Sequence, residues 1–217
     1  MKIIGTKICC VKSIAEVKKI VSFNVDWIGF VGPMPGGPGI LPIAEIARIV
    51  EEANFENSNP VLLTYQTDPM QIIRELKKTN ISSVQLVQEI GYKSASIIKE
   101  NIEDVELIQV VHVQDKTSIE KAIEVSEYSH RILLDSSKVA KQQFGGTGET
   151  HDWNLSAEIV KKTPKDVILA GGLNYRNVAE AILHVNPAGV DVCTGVRTKE
   201  AIDLSKLSKL VDAIQSV

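Results

Sequence analysis

Short apolar runs alternate along the chain with longer segments of helical spacing. Residues 132–134 and 167–169 are continuously apolar, which is typical of parallel strands that are covered on both faces. Ile43, Ile46 and Ile49 recur at the spacing of an amphipathic helix. The pattern therefore predicts strands and helices in regular alternation.

We predict eight strands, at residues 3–11, 27–31, 60–65, 83–87, 106–112, 131–135, 166–170 and 188–193. We predict eight helices, at residues 14–21, 43–53, 69–78, 94–101, 118–128, 155–162, 177–183 and 207–214. Units of roughly 27 residues favour a single (β/α)8 TIM barrel that takes up residues 1–217 as one domain. The alternative is a doubly wound open sheet, which usually has about five or six strands at this length.

A barrel places its functional residues at the carboxyl ends of its strands. Cys9 lies near the end of the first predicted strand, and Asp135 ends the sixth. Two further groups follow the seventh and eighth strands, and they are Gly171-Gly172 and Thr194-Gly195. These positions predict one active site at the barrel mouth.

A thiol and a carboxylic acid are the candidate catalytic groups. Lys7 precedes Cys9 by two residues and so lies on the same side of the strand, which makes a Cys9 thiolate feasible. Cys10 should point to the opposite face and be structural. A buried, unpaired Asp135 would be costly, which favours a catalytic role over a structural one. Together Cys9 and Asp135 fit a base and an acid for proton transfer next to a carbonyl or imine.

Glycine-rich loops offer backbone N–H groups for an anion, most simply the phosphate of a small substrate. For any one loop a tight turn is an equally good explanation, but convergence at one mouth favours phosphate. The predicted phosphate-binding residues are Gly145, Gly146, Thr147, Gly148, Gly171, Gly172, Thr194 and Gly195.

Composition narrows the class of protein. The 217 residues carry a net charge of −3 and only 5% aromatics, which argues against a nucleic-acid surface. No apolar run reaches the roughly 20 residues that cross a bilayer, and the N-terminus lacks a signal-peptide pattern. An odd count of three cysteines indicates a reducing compartment, so we expect a cytoplasmic protein. The four histidines have no ligand spacing, and we predict no metal site.

The chain resembles the phosphoribosylanthranilate isomerase family of tryptophan biosynthesis in five ordered motifs. The first-strand motif K-I-C-G-I-T stands here as KICCVK at 7–12, and L-L-D-(S/T) as LLDS at 133–136. The motif G-G-(S/T)-G-K-T-F-D-W stands as GGTGETHDW at 145–153, and A-G-G-L-x-x-x-N-V is intact at 170–178. The motif V-D-V-S-S-G-V-E stands as VDVCTGVR at 190–197.

This resemblance implies an aldose–ketose isomerase that performs an Amadori rearrangement without a cofactor. It assigns Asp135 as the general acid that opens the furanose ring and Cys9 as the general base at C2′. It also implies that Lys7 and Gln85 contact the substrate, a small phosphosugar, and that the protein is a monomer or a homodimer.

Three departures from the family pattern bear on how the substrate would be held. The loop at 32–39 lacks the arginine that holds the anthranilate carboxylate, Val87 replaces a histidine, and Glu149 replaces the lysine of the glycine loop. Either another cation, such as Lys12 or Arg197, holds the carboxylate, or the barrel accepts a different aglycone. A non-catalytic sugar-phosphate-binding protein is a third interpretation, but such a protein needs neither Cys9 nor Asp135.

Overall fold

The computed structural model describes residues 4–136 and 152–217. Its eight principal strands pair in parallel in chain order, and the eighth pairs with the first, so the sheet closes into a barrel. The strands are β1 Gly5–Ile8, β2 Trp27–Val31, β3 Asn59–Thr64, β4 Ser83–Leu86, β5 Glu106–His112, β6 Arg131–Asp135, β7 Asp166–Leu169 and β8 Gly189–Val192.

Eight helices follow the strands, which confirms the (β/α)8 TIM barrel. They are α1 Ile14–Val21, α2 Ile43–Glu52, α3 Pro69–Thr79, α4 Gly91–Asn101, α5 Thr117–Ser126, α6 Trp153–Lys162, α7 Val178–Val185 and α8 Leu204–Gln215. A 3₁₀ turn, Thr194–Val196, and a small hairpin of β9 (Arg197–Thr198) and β10 (Ala201–Ile202) precede α8 and were not predicted. Within the described ranges, no helix is long and apolar enough to span a membrane.

Local sequence fixes where several helices begin. The side chains of Ser13, Asp68, Asp152 and Asp203 accept hydrogen bonds from backbone N–H groups in the first turns of α1, α3, α6 and α8. Each cap satisfies a donor that has no partner inside its helix, typically for about 1 kcal/mol. The caps therefore fix the residue at which each of these four helices begins.

Apolar side chains form two separate layers. The larger layer fills the space between the strands and the surrounding helices. The smaller one fills the barrel interior and reaches up to the mouth, and its buried members are Cys9, Cys10, Val31, Val61, Leu63, Ile108, Val110, Leu133, Ile168 and Ala170. The interior is therefore packed, and a ligand can enter only at the top of this layer.

One glycine makes room for a charged side chain inside the barrel. A Cβ at Gly29 would lie 2.9 Å from the Cβ of Cys9 and 3.1 Å from the Nζ of Lys7. Any larger residue at this position on β2 would press on both side chains. Gly29 is thus the position that lets Lys7 occupy the interior directly beside Cys9.

Candidate active site

An open pocket of about 740 Å³ lies at the carboxyl ends of the strands. Both candidate catalytic residues, Cys9 and Asp135, line it. The other lining residues are Cys10, Val31, Met34, Gly37, Pro38, Leu63, Gln85, Val87, Val110, His112, Leu133, Ala170, Gly171, Gly172, Leu173, Asp191, Cys193 and Thr194. The structure therefore brings together residues from all eight strand ends, as the barrel geometry predicts.

Cys9 is buried immediately after β1, and its backbone N–H donates to the carbonyl of Val192 at 3.1 Å. The thiol of Cys10, 3.6 Å from the Sγ of Cys9, lowers the pKa of Cys9. The hydrogen bond with Cys193 and burial outweigh this effect and raise the pKa to about 11, although the charge of Lys7 opposes them. A cation on the same side of the strand is what a thiolate at Cys9 needs.

Cys10 does not point to the opposite face, so that prediction is wrong. Strand alternation stops because β1 ends at Ile8, and Cys10 adopts a left-handed backbone with φ of 62°. Its Sγ turns into the pocket and lies 2.6 Å from the Sγ of Cys193, which follows β8. Hydrogen bonds from Cys10 and Cys9 lower the pKa of Cys193 to about 4. The mouth thus holds three neighbouring sulfurs where the sequence indicated one.

Lys7 is completely buried, and its Nζ lies 3.0 Å from Oδ2 of Asp191. The parallel register of β1 and β8 places these two residues side by side. Burial lowers the pKa of Lys7, but the charge and hydrogen bond of Asp191 outweigh it and raise that pKa. Burial raises the pKa of Asp191 to about 7. Lys7 is not among the residues that line the pocket, and its positive charge lies beside Cys9 in the barrel interior.

Asp135 stands at the end of β6, in register with His112 at the end of β5. Its Oδ1 accepts a hydrogen bond from the backbone N–H of Ser136 at 2.7 Å. Burial raises the pKa of Asp135 to about 6, although the charge of His112 and that hydrogen bond oppose the change. A carboxylic acid with this pKa is partly protonated near neutral pH, as a general acid must be.

The raised pKa of Asp135 makes stability depend on pH. The folded pKa of about 6 lies above the ordinary value of 3.8, so ionisation is harder in the folded state. The free energy of unfolding should hold below pH 4 and fall by up to about 3 kcal/mol as pH rises through 6. Urea unfolding at several pH values checks this, and Asp135→Asn should lack this part of the decline. If the free energy of unfolding fell with pH equally in wild type and Asp135→Asn, the raised pKa of Asp135 would be contradicted.

The loops after β7 and β8 converge as predicted. Gly171 and Gly172 have φ of 86° and 65°, and both line the pocket together with Thr194. A Cβ at Gly195 would lie 2.1 Å from the carbonyl oxygen of Leu173, so only glycine lets the two loops pack this closely. The other four predicted phosphate-binding residues lie outside the described residues, and they are Gly145, Gly146, Thr147 and Gly148.

The opposite side of the pocket is mainly apolar. Met34, Pro38 and Val87 line it, together with Gln85, whose buried Oε1 has no hydrogen-bond partner among the described residues. Gln85 therefore keeps an acceptor that a ligand could use. Within residues 4–136 and 152–217, no arginine or lysine lines the pocket.

Neither proposed substitute cation faces this side. Arg197 is buried, and its Nη1 lies 2.8 Å from Oε1 of Glu16. Its Nη2 donates to the carbonyl oxygens of Cys10 at 2.7 Å and Cys9 at 3.4 Å. Lys12 pairs with Glu200 at 3.3 Å and does not line the pocket. As placed here, neither residue offers its charge to the pocket.

Sequence reasoning missed four ionisable residues that line the pocket, and they are Cys10, His112, Asp191 and Cys193. His112 ends a predicted strand, so the rule that selected Asp135 would also have selected it. Asp191 lies in the predicted eighth strand, two residues before its end. The positions of Cys10 and Cys193 depend on a positive φ and on barrel closure, which the sequence pattern does not display.

Comparison with known proteins places this geometry in a family. The family described as N-(5'phosphoribosyl)anthranilate (PRA) isomerase matches residues 6–213. The N-(5'-phosphoribosyl)anthranilate isomerase of Methanocella arvoryzae is 31% identical, over 96% of this chain and 97% of that protein. The enzyme of Oceanobacillus iheyensis with the same name is 30% identical, over 96% of both chains.

A solved structure shares the fold. The phosphoribosyl anthranilate isomerase of Thermotoga maritima superposes with a TM-score of 0.84, at 24% identity, over 99% of this chain and 100% of that one. The family match extends over almost all of the barrel and includes β1, β6 and β8, which carry the thiols and carboxylates of the mouth. The chain therefore belongs to the N-(5'-phosphoribosyl)anthranilate isomerase family.

Proposed function

We propose that this chain converts N-(5'-phosphoribosyl)anthranilate to its 1-amino-1-deoxyribulose 5-phosphate isomer, the Amadori rearrangement of tryptophan biosynthesis. The observation that carries the proposal is the presence of Cys9 and Asp135 in one pocket of a barrel of this family. One is a thiol beside a buried cation, and the other is a carboxylic acid with a raised pKa.

The first step opens the sugar ring. Asp135 gives its proton to the furanose ring oxygen as the bond from that oxygen to C1′ breaks, and the aglycone nitrogen forms a Schiff base with C1′. Because burial keeps Asp135 partly protonated, the proton is available when the substrate binds. The carboxylate left behind lies beside His112, which stabilises its charge.

The second step moves a proton from carbon. The Cys9 thiolate removes the C2′ proton, and the electron pair neutralises the iminium as an enolamine. The enolamine then tautomerises to the ketone. Both steps are proton transfers, so the rearrangement consumes no oxidant or reductant. Lys7 favours the thiolate at Cys9 by its positive charge.

Phosphate binding positions the sugar for both steps. We assign the phosphate to the glycine loops after β7 and β8, where Gly171, Gly172 and Thr194 line the pocket. Residues 145–148 are proposed to complete this subsite on the basis of their motif alone. Backbone N–H groups at such loops bind a phosphate dianion without requiring a side-chain cation.

A reduced thiol as base requires a reducing environment, and the three cysteines of the chain are free. We therefore place the reaction in the cytoplasm. A single chain contributes both proposed catalytic residues, so activity does not require a second subunit, whether the protein is a monomer or a homodimer.

The direct test is an assay with N-(5'-phosphoribosyl)anthranilate formed in situ, in which loss of anthranilate fluorescence is followed. We expect the purified chain to accelerate this loss. A folded protein that leaves the emission unchanged would refute the proposed reaction.

The apolar side of the pocket favours a second candidate, an isomerase for a different arylamine aglycone. An arginine–carboxylate pair is worth about 1.5–3 kcal/mol, or roughly 10- to 150-fold in binding, and no described lining residue supplies one. We expect kcat/KM for phosphoribosylanthranilate to exceed that for phosphoribosylaniline, which lacks the carboxylate, by less than about tenfold.

Parallel assays of the two compounds measure this ratio. Met34→Arg places a guanidinium on the apolar side of the pocket and should raise the preference for the substrate with the carboxylate. Met70→Arg, at an exposed position of α3, is the control and should leave the ratio unchanged. A wild-type preference above about 100-fold would instead mean that a cation already holds the carboxylate, which would reject the second candidate.

A further inference from the structure

Three thiols meet at the pocket mouth although they come from opposite ends of the chain. The Sγ atoms of Cys9 and Cys10 lie 3.6 Å apart, and those of Cys10 and Cys193 lie 2.6 Å apart. All three sulfurs lie within 4.8 Å of one another. Each of the three residues lines the pocket, so a small solute can reach the cluster from solvent.

The turn that presents Cys9 and Cys10 together is held by specific contacts. Neighbouring residues of a strand point to opposite faces, but the φ of 62° at Cys10 brings both thiols to the same side. Arg197 stabilises this turn by donating to both carbonyl oxygens, and Glu16 fixes the guanidinium at 2.8 Å. The vicinal pair is therefore a built feature of the mouth.

Two of the three cysteines, and the arginine that supports their turn, are departures from the family motifs. Cys10 stands where the first motif has glycine, Cys193 where the last has serine, and Arg197 where it has glutamate. Cys10 is 183 and 187 positions away from the other two, yet it contacts both. The departures thus meet in one place and add two thiols next to the proposed base.

We propose that Cys9, Cys10 and Cys193 bind one thiophilic d¹⁰ metal ion, such as Zn²⁺ or Cd²⁺. Zinc–sulfur bonds of about 2.3 Å in a tetrahedron separate sulfurs by about 3.8 Å, close to the 3.6 Å between Cys9 and Cys10. The pair of Cys10 and Cys193 must open by about 1 Å, which a small rotation of the Cys193 side chain provides. The fourth position is left to an oxygen donor from the pocket.

Metal binding and catalysis exclude each other, on the proposed function of Cys9. All three sulfurs bind the ion as thiolates, and a sulfur electron pair of Cys9 then forms the bond to the metal. That pair is the one that would accept the C2′ proton. A bound ion also occupies the mouth beside Asp191 and Thr194, where the sugar has to enter. The site therefore acts as an inhibitory one.

The test titrates Cd²⁺ alone into the reduced chain, kept reduced by a phosphine, and follows thiolate-to-cadmium absorption in the near ultraviolet. We expect saturation at one equivalent. Cys10→Ser and Cys193→Ser should each weaken binding by more than roughly 100-fold, since a lost ligand costs more than a lost outer contact. His184→Ala, on exposed α7, controls for surface histidines and should bind like wild type.

Turnover is measured in the same samples, relative to the metal-free rate of each variant. The activity of wild type should fall as the thiolate-to-cadmium absorption rises, and excess chelator should restore it. Cys193→Ser should keep its activity at the same Cd²⁺ concentration. One-equivalent binding that persists in both serine variants would overturn the proposal. The absorption titration decides this even if the chain proves to have no isomerase activity, so the two proposals fail separately.

Discussion

Asp135→Asn and Cys9→Ser are each expected to lower kcat by about 10²- to 10⁴-fold while the barrel stays folded. An amide at 135 keeps the shape of the carboxyl group but has no acidic proton for the ring oxygen. A hydroxyl at 9 keeps roughly the shape of the thiol but ionises far less readily and is a much weaker base catalyst here. Both losses should appear in kcat because each group acts on the reacting atoms.

The anthranilate fluorescence assay under saturating substrate measures these losses. Asp212→Asn, an exposed change on α8, is the matched control for the carboxylate and should keep the wild-type rate. Asp135→Asn should also be more stable than wild type at pH 7, because it removes a buried charge. Lost turnover with raised stability identifies a functional carboxylate. A rate near wild type for either variant would refute the acid–base assignment.

Lys7→Met is expected to lower the free energy of unfolding by about 3–5 kcal/mol. The methionine fits the interior, but it leaves Asp191 buried without its cation, and a buried charge without a partner is costly. Asp191 can instead take up a proton, so the loss of stability should shrink as pH falls below the pKa of Asp191 in the folded variant. That pKa lies above the value of about 7 that Asp191 has when Lys7 is present.

Urea unfolding at pH 8 and pH 5 tests this expectation. Lys121→Met breaks an exposed ion pair with Glu89 and should cost no more than about 1 kcal/mol at either pH. The double variant Lys7→Met/Asp191→Leu should recover most of the stability, because it removes both charges. Equal losses for Lys7→Met and Lys121→Met would show that the buried pair does not stabilise the barrel.

Local pattern was enough to predict the barrel and the two proposed catalytic groups. Continuous apolar runs mark strands buried on both faces, and a polar residue at the end of such a run must face the mouth. That reasoning located Asp135 directly. It located Cys9 as well, although β1 ends one residue before it and not at residue 11 as predicted.

The sequence pattern failed where backbone conformation and long-range pairing decide. Alternation put Cys10 on the outer face, but its left-handed φ turns it inward. Lys7 was predicted at the substrate, but the space left by Gly29 and the register with Asp191 bury it below the pocket. Arg197 was a candidate to bind the carboxylate, but its guanidinium pairs with Glu16 and donates to backbone carbonyl groups. None of these partners is near its residue in the sequence.

The contacts that join β1 to β8 determine how late the mouth of the barrel can be completed during synthesis on the ribosome. Lys7 and Asp191 are 184 positions apart, Cys10 and Cys193 are 183 apart, and Cys10 and Arg197 are 187 apart. Helices and neighbouring strand pairs can form as the chain emerges. The ion pair of Lys7, the support of the Cys10 turn by Arg197 and the contact of Cys10 with Cys193 can form only after the eighth strand has been made. Until the eighth strand has joined the barrel, Lys7 lacks its partner Asp191 and the mouth lacks Cys193.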